Sequence, residues 1–227
     1  MDFPVENISV AVDLLVFTID EGKLKLLMVK RAYPPFAGMR ALPGVFVAAN
    51  ETLDEAAARG IREETGLHDI YFEQLYTWGG VDRDPRRRII SVSYMALVPM
   101  KQIQDFVAGE RTTEAMLVDV KEVLAADDIA FDHKEIVEYA KWRLANKVEY
   151  TKIAFHLVPE EFTLPELQSV YEILLDKKLY KANFRKKVSD LVLETDRYTS
   201  GAAHRPSKYY RLKDGAPTEH DKFESIL

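Results

Sequence analysis

Apolar and polar positions along the N-terminal part of the chain predict a succession of strands interrupted by one well-marked helix. Ile8 to Thr18, ISVAVDLLVFT, alternates and then runs apolar, in the manner of a largely buried strand. Asp20-Glu21-Gly22 reads as a hairpin turn, and Lys23 to Lys30, KLKLLMVK, as the returning strand. Pro34, Pro35 and Gly38 mark Arg31 to Arg40 as a loop, and Leu42 to Val47 as a short strand after it. Thr52 to Glu64 then changes period: Leu53, Ala56, Ala57 and Ile61 form a helical stripe, and Gly66 supplies the stop. Ile70 to Trp78 and Ile89 to Val98 predict two further strands, and Thr112 to Leu124 a strand with a following turn. Phe131-Asp132-His133 opens another helix, with Asp132 as its N-cap. That helix runs to about Lys147 and carries Ile136, Val137, Ala140 and Leu144 on one side.

From about Val148 to Ile153 the pattern shifts to short, basic, helical elements. Thr163 with Glu166 three residues on is a capping box, with Pro165 tolerated in the first turn. Leu164, Leu167, Val170, Tyr171 and Leu174 follow at helical spacing. A tight turn over Asp176 to Leu179 leads to a second helix, Lys181 to Leu191, with Phe184, Val188 and Leu191 facing the core. Val192 to Asp196 and Lys208 to Lys213 predict a small hairpin around a tip at Thr199 to Ser207. The division expected is therefore 1–148 and 149–227.

At 227 residues, 47% apolar and 30% charged, the chain suits a core domain with a smaller module attached. It contains no cysteine, which excludes disulfides, thiolate metal sites and cysteine nucleophiles. No signal-like or membrane-length apolar stretch is visible, so a cytoplasmic protein with no membrane partner is expected. The net charge of −6 conceals a strong asymmetry. Between Lys177 and Lys213 eleven basic residues face three acids, a segment of +8 that leaves −14 on the remainder. One basic segment on an acidic body points to a polyanion contact confined to that segment.

The candidate chemistry lies in Leu42 to Leu67, LPGVFVAANETLDEAAARGIREETGL. Glu51, Arg59, Ile61, Glu63, Glu64, Gly66 and Leu67 fall at the spacing of the Nudix box, and the stretch resembles that strand–loop–helix signature of pyrophosphohydrolases. The resemblance implies an α/β fold, the Nudix α/β/α sandwich. Two positions depart from it: Val45 stands at the opening glycine and Gly60 at the first glutamate of the acidic triplet. Magnesium takes hard oxygen ligands, and residues three and four apart share a helix face. A carboxylate at 60 is thus expected to converge with Glu63 and Glu64, leaving those two as the only, weak, metal ligands. On this reading the fold keeps a nucleotide pocket without an efficient catalytic centre, and Gly60→Glu is expected to gain Mg²⁺-dependent release of AMP from ADP-ribose. Glu51 is expected to brace Arg59 rather than bind metal.

Gly79 to Arg88, GGVDRDPRRR, resembles the R-D-P-R segment of ADP-ribose-type and regulatory Nudix members. Arginine forks pair bidentately with phosphate, so Arg83 and Arg86, with Arg40 beside the L-P-G strand, are the candidate effector-binding residues. His133 is read as a capping or packing residue. The C-terminal order of helix, turn, basic helix and basic hairpin is that of a winged helix-turn-helix. Lys181, Asn183, Arg185, Lys186, Arg205 and Lys208 are the candidate DNA contacts there. With LYKANFRKKV and HRPSKYYRL, almost the whole chain resembles the NrtR-like family of Nudix-related transcriptional regulators.

The resemblance implies a homodimeric regulator of double-stranded DNA whose Nudix-like domain senses a small metabolite such as ADP-ribose or a sugar, with no cofactor required. The alternative is a Mg²⁺-dependent ADP-ribose or nucleoside-diphosphate-sugar pyrophosphatase with an accessory domain. A binding module with neither role is the third possibility.

Overall fold

The computed structural model describes residues 7–68, 70–103, 112–200 and 206–214. The chain divides into two compact units. One takes the described residues up to 18, 25 to 98 and 102 to 140, and the other takes 19 to 24, 99 to 101 and 141 onward. The division at 140/141 falls inside a helix, α3 (His133–Tyr150), which continues past the expected end at Lys147.

The first unit is built on β1 (Ser9–Asp20), whose residues from Val12 to Thr18 are all buried. A strand enclosed on both faces reads as a continuous apolar run, as this one does. It pairs in parallel with β6 (Ile89–Leu97) and antiparallel with the short β4 (Gly44–Phe46). The sheet order is β3-β2-β1-β6-β5, with β3 Arg40–Ala41, β2 Lys23–Arg31 and β5 Tyr71–Trp78. A further strand, β7 (Thr112–Asp119), pairs with β2. The turn expected after β7 is a short helix, α2 (Val120–Ala125), started by the Asp119 carboxylate accepting from the Lys121 N–H.

Helix α1 (Leu53–Thr65) covers one face of this sheet. Its Ala56, Ala57 and Ile61 pack among Val12, Leu14 and Val16 of β1 and Val92, Tyr94 and Ala96 of β6. Both strands contribute alternate residues, as the two-residue period of a strand requires. Thr52 caps the helix reciprocally with Glu55, and Gly66, at a left-handed φ of 69°, ends it.

The second unit carries β8 (Phe162–Thr163), α4 (Leu164–Leu175), α5 (Lys181–Val188), β9 (Val192–Tyr198) and β10 (Lys208–Leu212). Its sheet order is β8-β10-β9, antiparallel throughout. β8 is two residues long, too short to leave a periodic signal in the sequence. Leu167, Val170, Tyr171 and Leu174 of α4 are buried, as are Phe184 and Val188 of α5. Tyr171 and Phe184 meet edge to face at 5.3 Å. The capping box between Thr163 and Glu166 is formed as expected. α5 stops at Val188, before the expected Leu191, because Ser189 Oγ turns back to the Lys186 carbonyl and the Leu191 N–H bonds the Val188 carbonyl.

Candidate effector site and nucleic-acid interface

The box loop is tied to its helix by one arginine. Arg59 donates to both oxygens of Glu51, through Nη2 at 2.7 Å and Nε at 3.1 Å, and to the Phe46 carbonyl at 3.0 Å. Glu51 also accepts the Ala48 N–H at 2.7 Å. The Arg59 bond first, and the backbone donor second, hold the Glu51 carboxyl down at about 2. Glu51 is therefore a brace in this structure, the role expected of it.

The acidic positions of the box are engaged in different ways. A β-carbon at Gly60 would lie 2.8 Å from Leu14 Cδ1 and 3.2 and 3.3 Å from the two Val45 methyls. Position 60 thus faces the apolar core, and the expectation that a carboxylate there would converge with Glu63 and Glu64 is corrected. Glu63 is exposed and bonded to Arg59 at 3.2 Å, whereas Glu64 is buried. Burial, and then the Glu63 charge, push the Glu64 carboxyl up, and its Oε2 has no hydrogen-bond partner. Among the described residues no three acidic or histidine side chains are grouped to hold a metal. The two departures from the box pattern meet here, since Val45 fills the space beside the carbon that Gly60 lacks.

Gly44 explains the Leu42-Pro43-Gly44 strand in the same terms. A β-carbon there would come within 2.8 Å of the Val12 carbonyl and 2.9 Å of Asp13 Oδ1, so only glycine lets β4 approach β1 this closely.

Asp13 lies at the centre of a buried polar cluster. It accepts from Ser91 Oγ at 2.5 Å and from Arg83 Nη2 at 3.2 Å. Arg83 also holds Asp132 bidentately, at 2.7 and 2.8 Å, and its side chain is only 6% exposed. Interactions with the two aspartates outweigh desolvation and keep the guanidinium charged. His133 accepts the Leu42 N–H at Nδ1, 2.8 Å away, which leaves the proton on Nε2 facing Asp13 Oδ1 at 3.7 Å. Full burial pushes its pKa down, so this contact is that of a neutral imidazole. The R-D-P-R and Phe-Asp-His segments, distant in sequence, therefore meet around Asp13 and join β1, β6, the 79–88 loop and the start of α3.

These contacts change the roles expected of several residues. Arg83, expected as a phosphate ligand, is committed to Asp13 and Asp132 with little of its side chain exposed. Asp132 pairs with Arg83 and does not cap α3 through its side chain. Arg40 is likewise engaged, bidentately with Asp128 at 2.6 and 2.9 Å and with Glu122 at 2.6 Å. Arg86 is paired with Asp84 at 2.6 and 2.9 Å but stays 41% exposed. Asp13 itself was not among the expected site residues, although a single carboxylate inside ISVAVDLLVFT was the available signal.

In the second unit, α5 turns Phe184 and Val188 inward and leaves Lys181, Asn183, Arg185 and Lys186 exposed on its outer side. The turn before it is set by Glu172. Its carboxylate accepts from Lys178 Nζ at 2.7 Å, the Leu179 N–H at 3.0 Å and Gln168 Nε2 at 2.9 Å. Those donors, Lys178 foremost, hold the Glu172 carboxyl at about 2. Lys208 is half-buried and bonded to Glu194, which raises its pKa, so it is not a free phosphate contact. Arg205 lies outside the described residues. Tyr180, 82% exposed at the start of α5, is a surface aromatic that the sequence reading did not single out.

Residues 9–140 match the model of the NUDIX domain, and residues 154–212 that of the NrtR DNA-binding winged helix domain. The chain is 37% identical to an ADPR-responsive transcriptional repressor of Acinetobacter baylyi, over 93% of this chain and 84% of that one. It is similar to the crystal structure of Shewanella oneidensis NrtR complexed with a 27mer DNA, with a TM-score of 0.81 and 33% identity over 91% of this chain and 94% of that one. A cocrystal structure of the NUDIX domain of the same Shewanella protein with ADP ribose matches 62% of this chain and 90% of its own length, at TM-score 0.55 and 32% identity.

Proposed function

The chain belongs to the NrtR family of Nudix-related transcriptional regulators, and on that premise we propose that it binds operator DNA as a homodimer and answers to ADP-ribose. Its α5 serves as the recognition helix, with Lys181 and Lys186 on phosphates and Asn183 and Arg185 toward base edges. A two-fold dimer presents two such helices to a palindromic operator. The first unit is the effector domain and turns ADP-ribose over poorly or not at all. No helix among the described residues is long and apolar enough to cross a membrane.

The observation that carries this reading is the pairing, in one chain, of an exposed basic α5 with a box in which position 60 packs against Val45 and Leu14 and carries no carboxylate. The relative from Acinetobacter, an ADPR-responsive repressor, supports ADP-ribose as the first effector to test. An effector changes DNA affinity only by binding the two states unequally. The test is binding to duplex DNA from upstream of the protein's own gene, with and without ADP-ribose. Sequence-preferring binding that shifts with ADP-ribose is expected. Equal affinity for random DNA with no response to ADP-ribose would sink the proposal, and rapid Mg²⁺-dependent AMP release would replace it with the enzyme reading.

A further inference from the structure

Next to the Arg83 cluster, a second pair of arginines meets around one aromatic ring. Arg31, at the end of β2, sets its guanidinium carbon 4.7 Å from the centroid of Phe131, and Arg86 lies 5.6 Å from the same centroid. Phe36 packs edge-on against Phe131 at 4.8 Å. Both phenylalanines hold left-handed backbone, with φ of 62° and 57°. Bulky residues enter that region at a cost and persist there only when their surroundings over-determine them.

The two arginines differ from Arg40 and Arg83 in their partners. Arg31 donates from Nε to the Pro35 carbonyl at 2.8 Å and from Nη2 to the Tyr33 carbonyl at 3.4 Å. Both acceptors are neutral, and among the described residues no carboxylate lies within ion-pair distance of it. Arg86 has Asp84 as its partner. Two cations therefore share one anion beside a partly exposed ring, with Phe36 37% exposed. Burial, and then the Arg86 charge, lower the Arg31 pKa, the direction expected of a cation held against its like.

We propose that Arg31 and Arg86, set around the Phe131 ring, form the phosphate-binding part of the effector site and take the diphosphate of ADP-ribose. The assignment rests on ADP-ribose being the effector, as read above. A diphosphate supplies the negative charge this corner lacks, and its oxygens match the planar fork of arginine. Arg86, 41% exposed, can offer a guanidinium N–H to a phosphate oxygen while keeping the buried Asp84 as its partner.

The deciding experiment is calorimetric titration of the full chain with ADP-ribose, and in parallel with inorganic pyrophosphate, for wild type, Arg31→Gln and Arg86→Gln. Each substitution is expected to weaken ADP-ribose binding by about ten- to a hundredfold, the loss that follows removal of a charged hydrogen bond. Thermal unfolding checks that the variants fold, and if Arg31→Gln does not, Arg86→Gln on its exposed loop decides. If wild type binds ADP-ribose and a folded variant binds it equally well, the arginine pair is not the phosphate site while the effector reading stands. If wild type binds only pyrophosphate and the variants do not, the pair stands and ADP-ribose falls. Binding of neither ligand overturns both.

Discussion

A β-carbon at position 60 would sit 2.8 Å from Leu14 Cδ1, and Leu14 is only 1% exposed in a close-packed core. Its methyl cannot swing aside into solvent, and Val45, stiff at its β-carbon, closes the other side. Gly60→Glu therefore combines overpacking, about 1–3 kcal/mol, with the burial of a carboxylate among alkyl groups, which favours its neutral form. The expected outcome is a melting temperature lowered by several degrees and no gain of Mg²⁺-dependent AMP release from ADP-ribose. At roughly 2–4 °C per kcal/mol for a chain of this size, calorimetry resolves the shift. A stably folded Gly60→Glu protein that does release AMP would show that position 60 reaches a metal after all. Adding Val45→Gly to Gly60→Glu removes one of the two obstructions, so the double variant is expected to recover part of the lost stability.

At the scale of single elements, the turn between α4 and α5 depends on the ionised Glu172 carboxylate. That group ordinarily titrates at 4.5 and here is held at about 2, through Lys178, the Leu179 N–H and Gln168. Because the folded value is the lower one, the unfolded chain binds more protons between them, and stability falls as pH drops through that window. Above 4.5 the full contribution is present. Glu172→Gln is expected to flatten the acid limb of stability against pH between about 4.5 and 2, measured on the full chain by denaturation at stepped pH. An unchanged limb would mean that the carboxylate adds nothing in solution. The α4 capping box was legible because Thr163 and Glu166 are local, three residues apart. The Glu172 clamp reaches Lys178 and Leu179 across the turn, beyond any helical period. The same distinction separates Glu51–Arg59, which the box spacing exposes, from Arg83 on Asp13 and Asp132, whose partners lie 70 and 49 residues away. Sequence pattern located the longer strands and helices and the arginine-rich loop, but which arginine meets a carboxylate is decided by tertiary approach.

For the molecule as a whole, the question is whether its basic segment is a DNA reader or only a cationic surface. Charge alone does not decide, because Lys208 and Arg197 already hold Glu194 and Glu161 within the second unit. The cations left exposed on α5 are concentrated at Lys181, Arg185, Lys186 and Lys187, and the two kinds of contact proposed for them respond differently to salt. Each phosphate contact releases condensed counterions, so the logarithm of affinity falls with the logarithm of salt by about 0.9 per contact. Lys181→Ala, a phosphate contact, is expected to weaken operator and random DNA alike and to reduce that slope by about 1. Arg185→Ala is expected to cost roughly 1–3 kcal/mol on operator DNA and much less on random DNA, because a base-edge contact exists only in the specific complex. Fluorescence anisotropy across a salt series, with both DNAs and both variants, separates the two. If Arg185→Ala and Lys181→Ala shift both DNAs equally, α5 is not reading bases. The +8 segment then acts as a non-specific tether, and sequence preference would have to come from the hairpin formed by β9 and β10.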